Sequence, residues 1–377
     1  MRMHDVLELA AAHEPPHGST VEDIVTRGRR AQRVRRAGWT GAGAAVVAVV
    51  AAAGLTMPTV LPGGQQAAAG PSFEIPDNPF SFTFRAFDAG RWHVQDPIVA
   101  STAYQIASVY LDGRITHDKA VPATDLPDPV TPGARKREET IAAHLTLYRP
   151  GAFDPAKLGG AKQLTVDGHR AWQFTGKGGT DDITRRVLAW EYTEGGWAVL
   201  ESHSNSAADP TDADLRQVVA GLEPSPATAA TLPFRMGYVP AGYQAVELGS
   251  GALPGLEGIA TARDGEYGGA KFADPAPATS GLARPFGSVS EAELPGSFLV
   301  VVGRTANSNQ GPGDATIKCT SGFCTTHRVD GKVVVQVASE GRLIDAEMTK
   351  IIEGIELADV DQPASWVDAA TALRAEF

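Results

Sequence analysis

Apolar and polar residues alternate over several short stretches of this chain, and in two places the spacing changes to a helical one. Leu145 to Tyr148, Arg170 to Phe174 and Val187 to Tyr192 alternate or run apolar, as strands with one or both faces covered do. Glu194-Gly195-Gly196 reads as a hairpin turn into a strand from Trp197 to Glu201. Later, Phe298 to Val302 and, after Asp330-Gly331, Lys332 to Val337 repeat the strand pattern.

The helical spacing falls where Asp212-Ala213-Asp214-Leu215 leads to Val218-Val219-Ala220-Gly221-Leu222-Glu223. At an offset of 133 residues, Asp345-Ala346-Glu347-Met348 leads to Ile351-Ile352-Glu353-Gly354-Ile355-Glu356. Apolar residues at the first, fourth, fifth and eighth positions make one helix face in both copies. The aspartates suit the N-cap or first turn, where exposed N–H groups and the helix dipole favour negative charge. The beginnings also match: Phe84-Arg85, Ala89-Gly90 and Val94 correspond to Phe234-Arg235, Ala241-Gly242 and Val246.

This pattern predicts an α+β protein with two tandem domains, 77–226 and 231–377, each an antiparallel sheet with a closing helix. Pro224 to Thr231 joins them, and long Pro- and Gly-rich loops interrupt both, from Asp118 to Arg137 and from Gly249 to Ser297. Pro363 to Phe377 predicts a short terminal helix with Trp366, Ala370 and Leu373 on one side.

Ahead of the domains, Ala37 to Phe73 carries no charge. Residues 38–58 are long enough for a transmembrane helix, since twenty residues span about 30 Å. Val46, Val47, Val49, Val50 and Leu55 supply only roughly −1.5 to −3 kcal/mol on the insertion scale, and four glycines oppose them. The basic tail 1–37 holds Arg27, Arg29, Arg30, Arg33, Arg35 and Arg36, which places it in the cytoplasm and everything after the span outside. A capping-box pattern at Ser19-Thr20-Val21-Glu22 starts a basic helix in this tail, and 59–76 is a flexible linker. Two export readings compete: a cleaved signal peptide with an Ala67-Ala68-Ala69 site, and a twin-arginine signal at Arg35-Arg36.

Composition changes this picture in two ways. The net charge of −11 is concentrated outside the tail, where 26 basic residues face 39 acidic ones, and this argues against nucleic-acid binding. Only two cysteines occur, Cys319 and Cys324 in CTSGFC, and they predict a disulfide in an oxidising compartment. The alternative is a metal site completed by His327, which lacks an evident fourth ligand.

Signatures of catalysis are missing: no nucleophile elbow, HExxH, P-loop or Rossmann fingerprint is present. No catalytic, cofactor-binding or metal-ligating set is therefore predicted, and no cofactor. Gly176-Lys177-Gly178-Gly179-Thr180 reads as a hairpin turn, and Asp209, Asp212 and Asp214 as capping residues rather than calcium ligands. The exterior histidines, among them His93, His144 and His327, could enter a triad only through space. The most suggestive side chains are aromatic: Trp172, Trp190, Tyr192 and Trp197, with Phe174, form either the core between sheet and helix or a ligand groove for a glycan or lipid.

In its charge-free stretch and its repeat endings the chain resembles single-pass envelope proteins of high-GC actinobacteria. The unit from WEYTEGGWAVLES through DADLRQVVAGLE is similar to the exterior sensor halves of anti-sigma-type proteins. That resemblance implies a membrane-anchored, extracytoplasmic, non-catalytic binding or sensing module whose partner is an envelope protein or a small ligand. Two other classes stay open: an envelope hydrolase or transferase with a site assembled only in space, and a carrier of an apolar ligand.

Overall fold

The computed structural model describes residues 73–111, 141–178, 183–202, 210–256, 267–287, 294, 296–307, 313–320 and 322–374. The first half opens with β1 (Ser81–Phe82), β2 (Phe87–Ala89), β3 (Trp92–Val94), β4 (Val99–Ser101), β5 (Tyr104–Leu111) and β6 (Ala143–Tyr148). It continues through β7 (Lys162–Val166), β8 (His169–Gly178), β9 (Ile183–Thr193) and β10 (Gly196–Ser202) to helix α1 (Asp212–Ala220). The second half comprises β11 (Thr228–Ala229), β12 (Thr231–Leu232), β13 (Phe234–Met236), β14 (Gln244–Ser250), β15 (Gly268–Ala273) and β16 (Ser297–Arg304). Then come β17 (Lys318–Thr320), β18 (Phe323–Arg328), β19 (Val333–Ala338), helix α2 (Asp345–Glu353), β20 (Ile355–Leu357), β21 (Val367–Asp368) and the short helix α3 (Ala369–Ala372).

One large sheet runs through both halves in the order β17-β18-β19-β16-β15-β14-β4-β5-β6-β10-β9-β8-β7, with β3 also pairing with β5, and β2 with β3. The order β3-β5-β6-β10-β9-β8 in the first half recurs as β14-β15-β16-β19-β18-β17 in the second, and each run is followed by a helix. The three-residue strand β4 makes the seam: it pairs antiparallel with β5 on one edge and with β14 on the other. Without β4 the sheet would divide there.

Strand alternation sorts the residues into cores. Odd positions of β5 and β6, such as Ala107, Val109, Leu145 and Leu147, pack under α1 with Leu188, Trp190, Leu215 and Val218. The even positions Tyr104, Ile106 and Tyr148 face the other side and pack with Phe153, Trp197, Phe286 and Leu294. Both faces of the first-half sheet are thus covered, which is why β5, β6 and β10 read as almost continuous buried runs. A third core joins β14–β19 to α2, α3 and β13, and takes in Phe80, Phe82 and Ala100 from the first half.

The expected α+β fold with an N-terminal transmembrane helix followed by two helix-closed domains is corrected to a predominantly β architecture. Among the described residues the longest helices, α1 and α2, are nine residues each, about two and a half turns, because each helical pattern is bounded at once by glycine, Gly221 or Gly354. Among the described residues no helix is long and apolar enough to cross a membrane. Membrane, single-pass and transmembrane-helix assignments are withdrawn with it, including the membrane as a partner through a single span. The predicted tail 1–37 and span 38–58 lie outside the described residues, as does most of the linker 59–76.

The terminal helix expected over Pro363 to Phe377 is also broken up. Pairing of Thr231 and Leu232 with Asp368 and Val367 makes part of it a strand, and four residues of helix remain.

Candidate functional site

A cavity of about 430 Å³ opens in the second half of the molecule, lined by Tyr267, Arg304, Thr305, Val333, Val360 and Asp361 together with the turn between β18 and β19. Tyr267 and Val360 are buried and form an apolar floor with Val333. The Arg304 guanidinium lies 4.9 Å from the Tyr267 ring centroid and donates from Nη2 to Asp361 Oδ1 at 2.9 Å. Stacking and ion pairing hold that side chain in place on the cavity wall. Burial pushes the Tyr267 hydroxyl pKa up, against the opposing pull of Arg304, so it remains a neutral donor.

The turn that closes the cavity is unusual in its backbone. Val329, Asp330 and Gly331 take φ of +51°, +52° and +81° in succession. Glycine adopts this region freely, but a β-branched valine does so at a cost of about 1–3 kcal/mol. Thr305 fastens the turn from the side, its Oγ1 donating to Gly331 O at 2.7 Å and its N–H to Lys332 O at 2.9 Å. The exposed Lys332 ammonium stands on the rim, so the cavity carries two cations against one carboxylate. Such a lining suits a small anion with an apolar part.

A second polar arrangement crosses the first-half sheet. Ser108, His144 and Glu201 are direct cross-strand partners on β5, β6 and β10. Gln95 N donates to Ser108 O at 3.0 Å, which extends the row by one residue. Arg185 holds Glu201 through both carboxylate oxygens. Ser108 is fully buried, and its Oγ, together with Gln95 Oε1 and the Nε2 of nearby His93, has no hydrogen-bond partner among the described residues. His93 Nδ1 lies 2.7 Å from Asp88 Oδ1, which orients the ring.

The same sheet face carries a row of rings. Tyr104 and Tyr148 meet edge-on with centroids 5.5 Å apart, Tyr148 lies 4.8 Å from Phe153, and Phe153 lies 6.3 Å from Trp197. At one end Arg170 sits 5.7 Å over Trp197 and holds Glu191 through two 2.7 Å bonds. At the other end Tyr104 donates to Glu247, whose second oxygen is 2.6 Å from Lys271 Nζ. Phe286 N–H donates to the Tyr104 hydroxyl at 2.7 Å and Lys271 Nζ to Gly287 O at 2.8 Å, so the buried network latches the 284–287 loop onto the seam. Burial, reinforced by the Glu247 charge, pushes the Tyr104 pKa well above its ordinary value.

The four aromatics singled out from the sequence are divided between the two faces. Trp197 is buried in the Tyr104 core with Trp172 packed against it, whereas Trp190 and Tyr192 belong to the core under α1. The sheet lies between the pairs, and they do not line one groove. Cys319 and Cys324 form the disulfide and are direct partners across the β17–β18 hairpin, with Cα atoms 4.0 Å apart. Gly322 closes the hairpin at φ +89°, where a Cβ would stand 2.7 Å from Gly341 N. His327 lies at an odd register position and Cys324 at an even one, so they face opposite sides of the strand and do not converge. The third side chain beside the two sulfurs is Asp345.

Sequence reading missed the cavity residues Tyr267, Arg304 and Asp361, which are scattered along the chain. The Asp330-Gly331 turn was the one visible signal near them.

No protein-family sequence model matches the chain, and no curated protein matches it. Among solved structures, the complex of Pseudomonas aeruginosa MucA and MucB matches over 74% of this chain and 93% of that chain, at 12% identity and a TM-score of 0.18.

Proposed function

We propose that this protein is a non-catalytic, extracytoplasmic binding or sensing module of the cell envelope, and that it takes a small anionic ligand with an apolar part in the Arg304 cavity. The observation that carries the reading is the Arg304 side chain, stacked on Tyr267 and aligned by Asp361 at the mouth of a 430 Å³ cavity. Preformed cavities of that size with an apolar floor and a few fixed polar groups are the usual form of a small-molecule site. The Cys319–Cys324 bridge supports the extracytoplasmic placement, since such bonds persist in oxidising compartments.

The test is calorimetric titration with aliphatic and aromatic carboxylates and with inorganic phosphate, on the native protein and on Arg304→Gln. Saturable binding by a carboxylate that the substitution weakens about tenfold or more, as loss of a charge-assisted bond predicts, upholds the reading. Absence of saturable binding by every probe, or equal binding by Arg304→Gln, overturns it.

A second reading, an envelope hydrolase, has one observation in its favour: Ser108, His144 and Glu201 stand in order on three adjacent strands. Covalent labelling by a fluorophosphonate that is lost in Ser108→Ala would establish it. The complete burial of Ser108 favours the binding module.

A further inference from the structure

We propose that Cys319, Cys324 and Asp345 form a redox-gated site for a thiophilic divalent cation of the zinc or cadmium type, closed while the disulfide is intact and open once it is reduced. The two sulfurs and an Asp345 carboxylate oxygen lie within 4.8 Å of one another. At metal–sulfur bonds of about 2.3 Å, two tetrahedral thiolate ligands stand roughly 3.8 Å apart, a separation that two reduced side chains on facing strand positions reach by small rotations. The two cysteines are register partners on β17 and β18 with Cα atoms 4.0 Å apart, so strand pairing acts beside the bridge to keep them close.

The start of α2 shows why Asp345 is available. Helix α1 is capped by Thr211, whose hydroxyl accepts from Asp214 N while the Asp214 carboxylate accepts from Thr211 N. The position 133 residues on is Ile344, which offers no side-chain cap and is 72% exposed. Glu347, which stands where Asp214 does, is taken by the Tyr238 hydroxyl. Asp345 makes no side-chain hydrogen bond or ion pair among the described residues and is exposed, with the bridge beside it. Thr349, one turn further along α2, has its hydroxyl 3.7 Å from Cys319 Sγ, within reach to donate to a thiolate there. A carboxylate from the first helical turn thus completes a set for which His327 faces the wrong way, and the solvent side leaves room for water as a fourth ligand.

The chemistry balances with a thiol reductant. Two reductant thiols give two electrons and two protons to the bridge and become a disulfide, leaving Cys319 and Cys324 as thiols. The cation then displaces both thiol protons to solvent and takes the two thiolates and the Asp345 carboxylate. A small-molecule disulfide reverses the sequence: it takes the two electrons and, with two protons from solvent, becomes two thiols, while Cys319 and Cys324 re-form their bridge and release the cation.

The experiment titrates the full chain with Cd²⁺ before and after reduction by a phosphine, following thiolate-to-metal charge-transfer absorbance. Reduced protein is expected to bind one Cd²⁺ per chain and release two protons, and oxidised protein to bind none at this site. Asp345→Asn should weaken binding about tenfold or more, and Cys319→Ser should abolish the charge-transfer band. Equal Cd²⁺ binding by oxidised and reduced protein, or undiminished affinity in Asp345→Asn, overturns the proposal. If reduction loosens the β17–β18 hairpin, Cd²⁺ is expected to restore the protease resistance of the reduced chain, and a failure to do so also overturns it.

Discussion

Glu247 and Lys271 face each other across β14 and β15 with Oε2 and Nζ 2.6 Å apart, and their side chains are 0% and 5% exposed. Removing two charges from water costs several kcal/mol per ion, and only near-complete hydrogen bonding offsets it. Tyr104 supplies a donor to the other Glu247 oxygen, and Gly287 O accepts from Lys271. Breaking one side strands the remaining charge. Lys271→Met and Glu247→Leu are each expected to destabilise the protein by about 3–5 kcal/mol, while the double variant lies close to the native protein. Urea unfolding of the three variants checks this, and strictly additive losses would refute the pairing. Tyr104→Phe should cost about 1–3 kcal/mol and free the 284–287 loop for proteolysis, because the Phe286 N–H loses its acceptor.

That network also marks the limit of what local pattern reveals. Strands β6, β9, β10, β16 and β19 fall where alternation and Gly turns put them, because a hairpin's register depends on neighbouring residues. The helical stripes of α1 and α2 were equally visible, although each supports only nine residues. By contrast, a buried Glu247 and Lys271 look like two ordinary surface charges in the sequence. Their meaning arises only when β4 seats Ser101 opposite Glu247 and brings Tyr104 within reach. Within each strand the aromatics share a face as alternation requires, Trp172 with Phe174 and Trp190 with Tyr192. Which strand face met which core depended on long-range pairing, so Trp172 and Trp190 came out on opposite sides.

The two helix starts give a matched pair of predictions. Thr211→Ala removes the hydroxyl half of the α1 capping box, leaving the Thr211 backbone N–H on Asp214, and should cost about 1 kcal/mol. Ile344 already holds the extended backbone of an N-cap, φ −74° and ψ 155°, so Ile344→Thr should add up to about 1 kcal/mol without rearrangement. Thermal unfolding midpoints should move in opposite directions. A fall in both would mean that Ile344 packs against something of value.

Acid sensitivity has one identifiable contributor on β9. Hydrogen bonds from Arg170 hold the Glu191 carboxyl below its usual range, helped by Gly195 N–H and opposed by partial burial. A depressed folded-state pKa contributes stability above the unfolded value of about 4.3, and that contribution is lost as pH falls through the folded value. Glu191→Gln should therefore lower the urea midpoint at pH 7 and leave it nearly unchanged well below the carboxylate range. Equal effects at both pH values would show that packing, not charge, is responsible.

The Val329 turn links stability to the cavity it closes. With φ +51° and 51% of its surface exposed, Val329 combines an unfavourable backbone conformation with an unburied apolar side chain. Val329→Gly relieves the first, at some entropic cost in the unfolded chain, and should raise stability by roughly 0.5–1 kcal/mol. Val329 also lines the cavity, so the same substitution removes apolar contact from a bound ligand and loosens the approach of Lys332. Stability and carboxylate affinity are thus expected to change in opposite directions. The comparison needs only a melting curve and a titration of each protein. A glycine variant that is more stable and binds equally well would separate the turn from the site, and a less stable one would show that neighbouring packing over-determines the valine conformation.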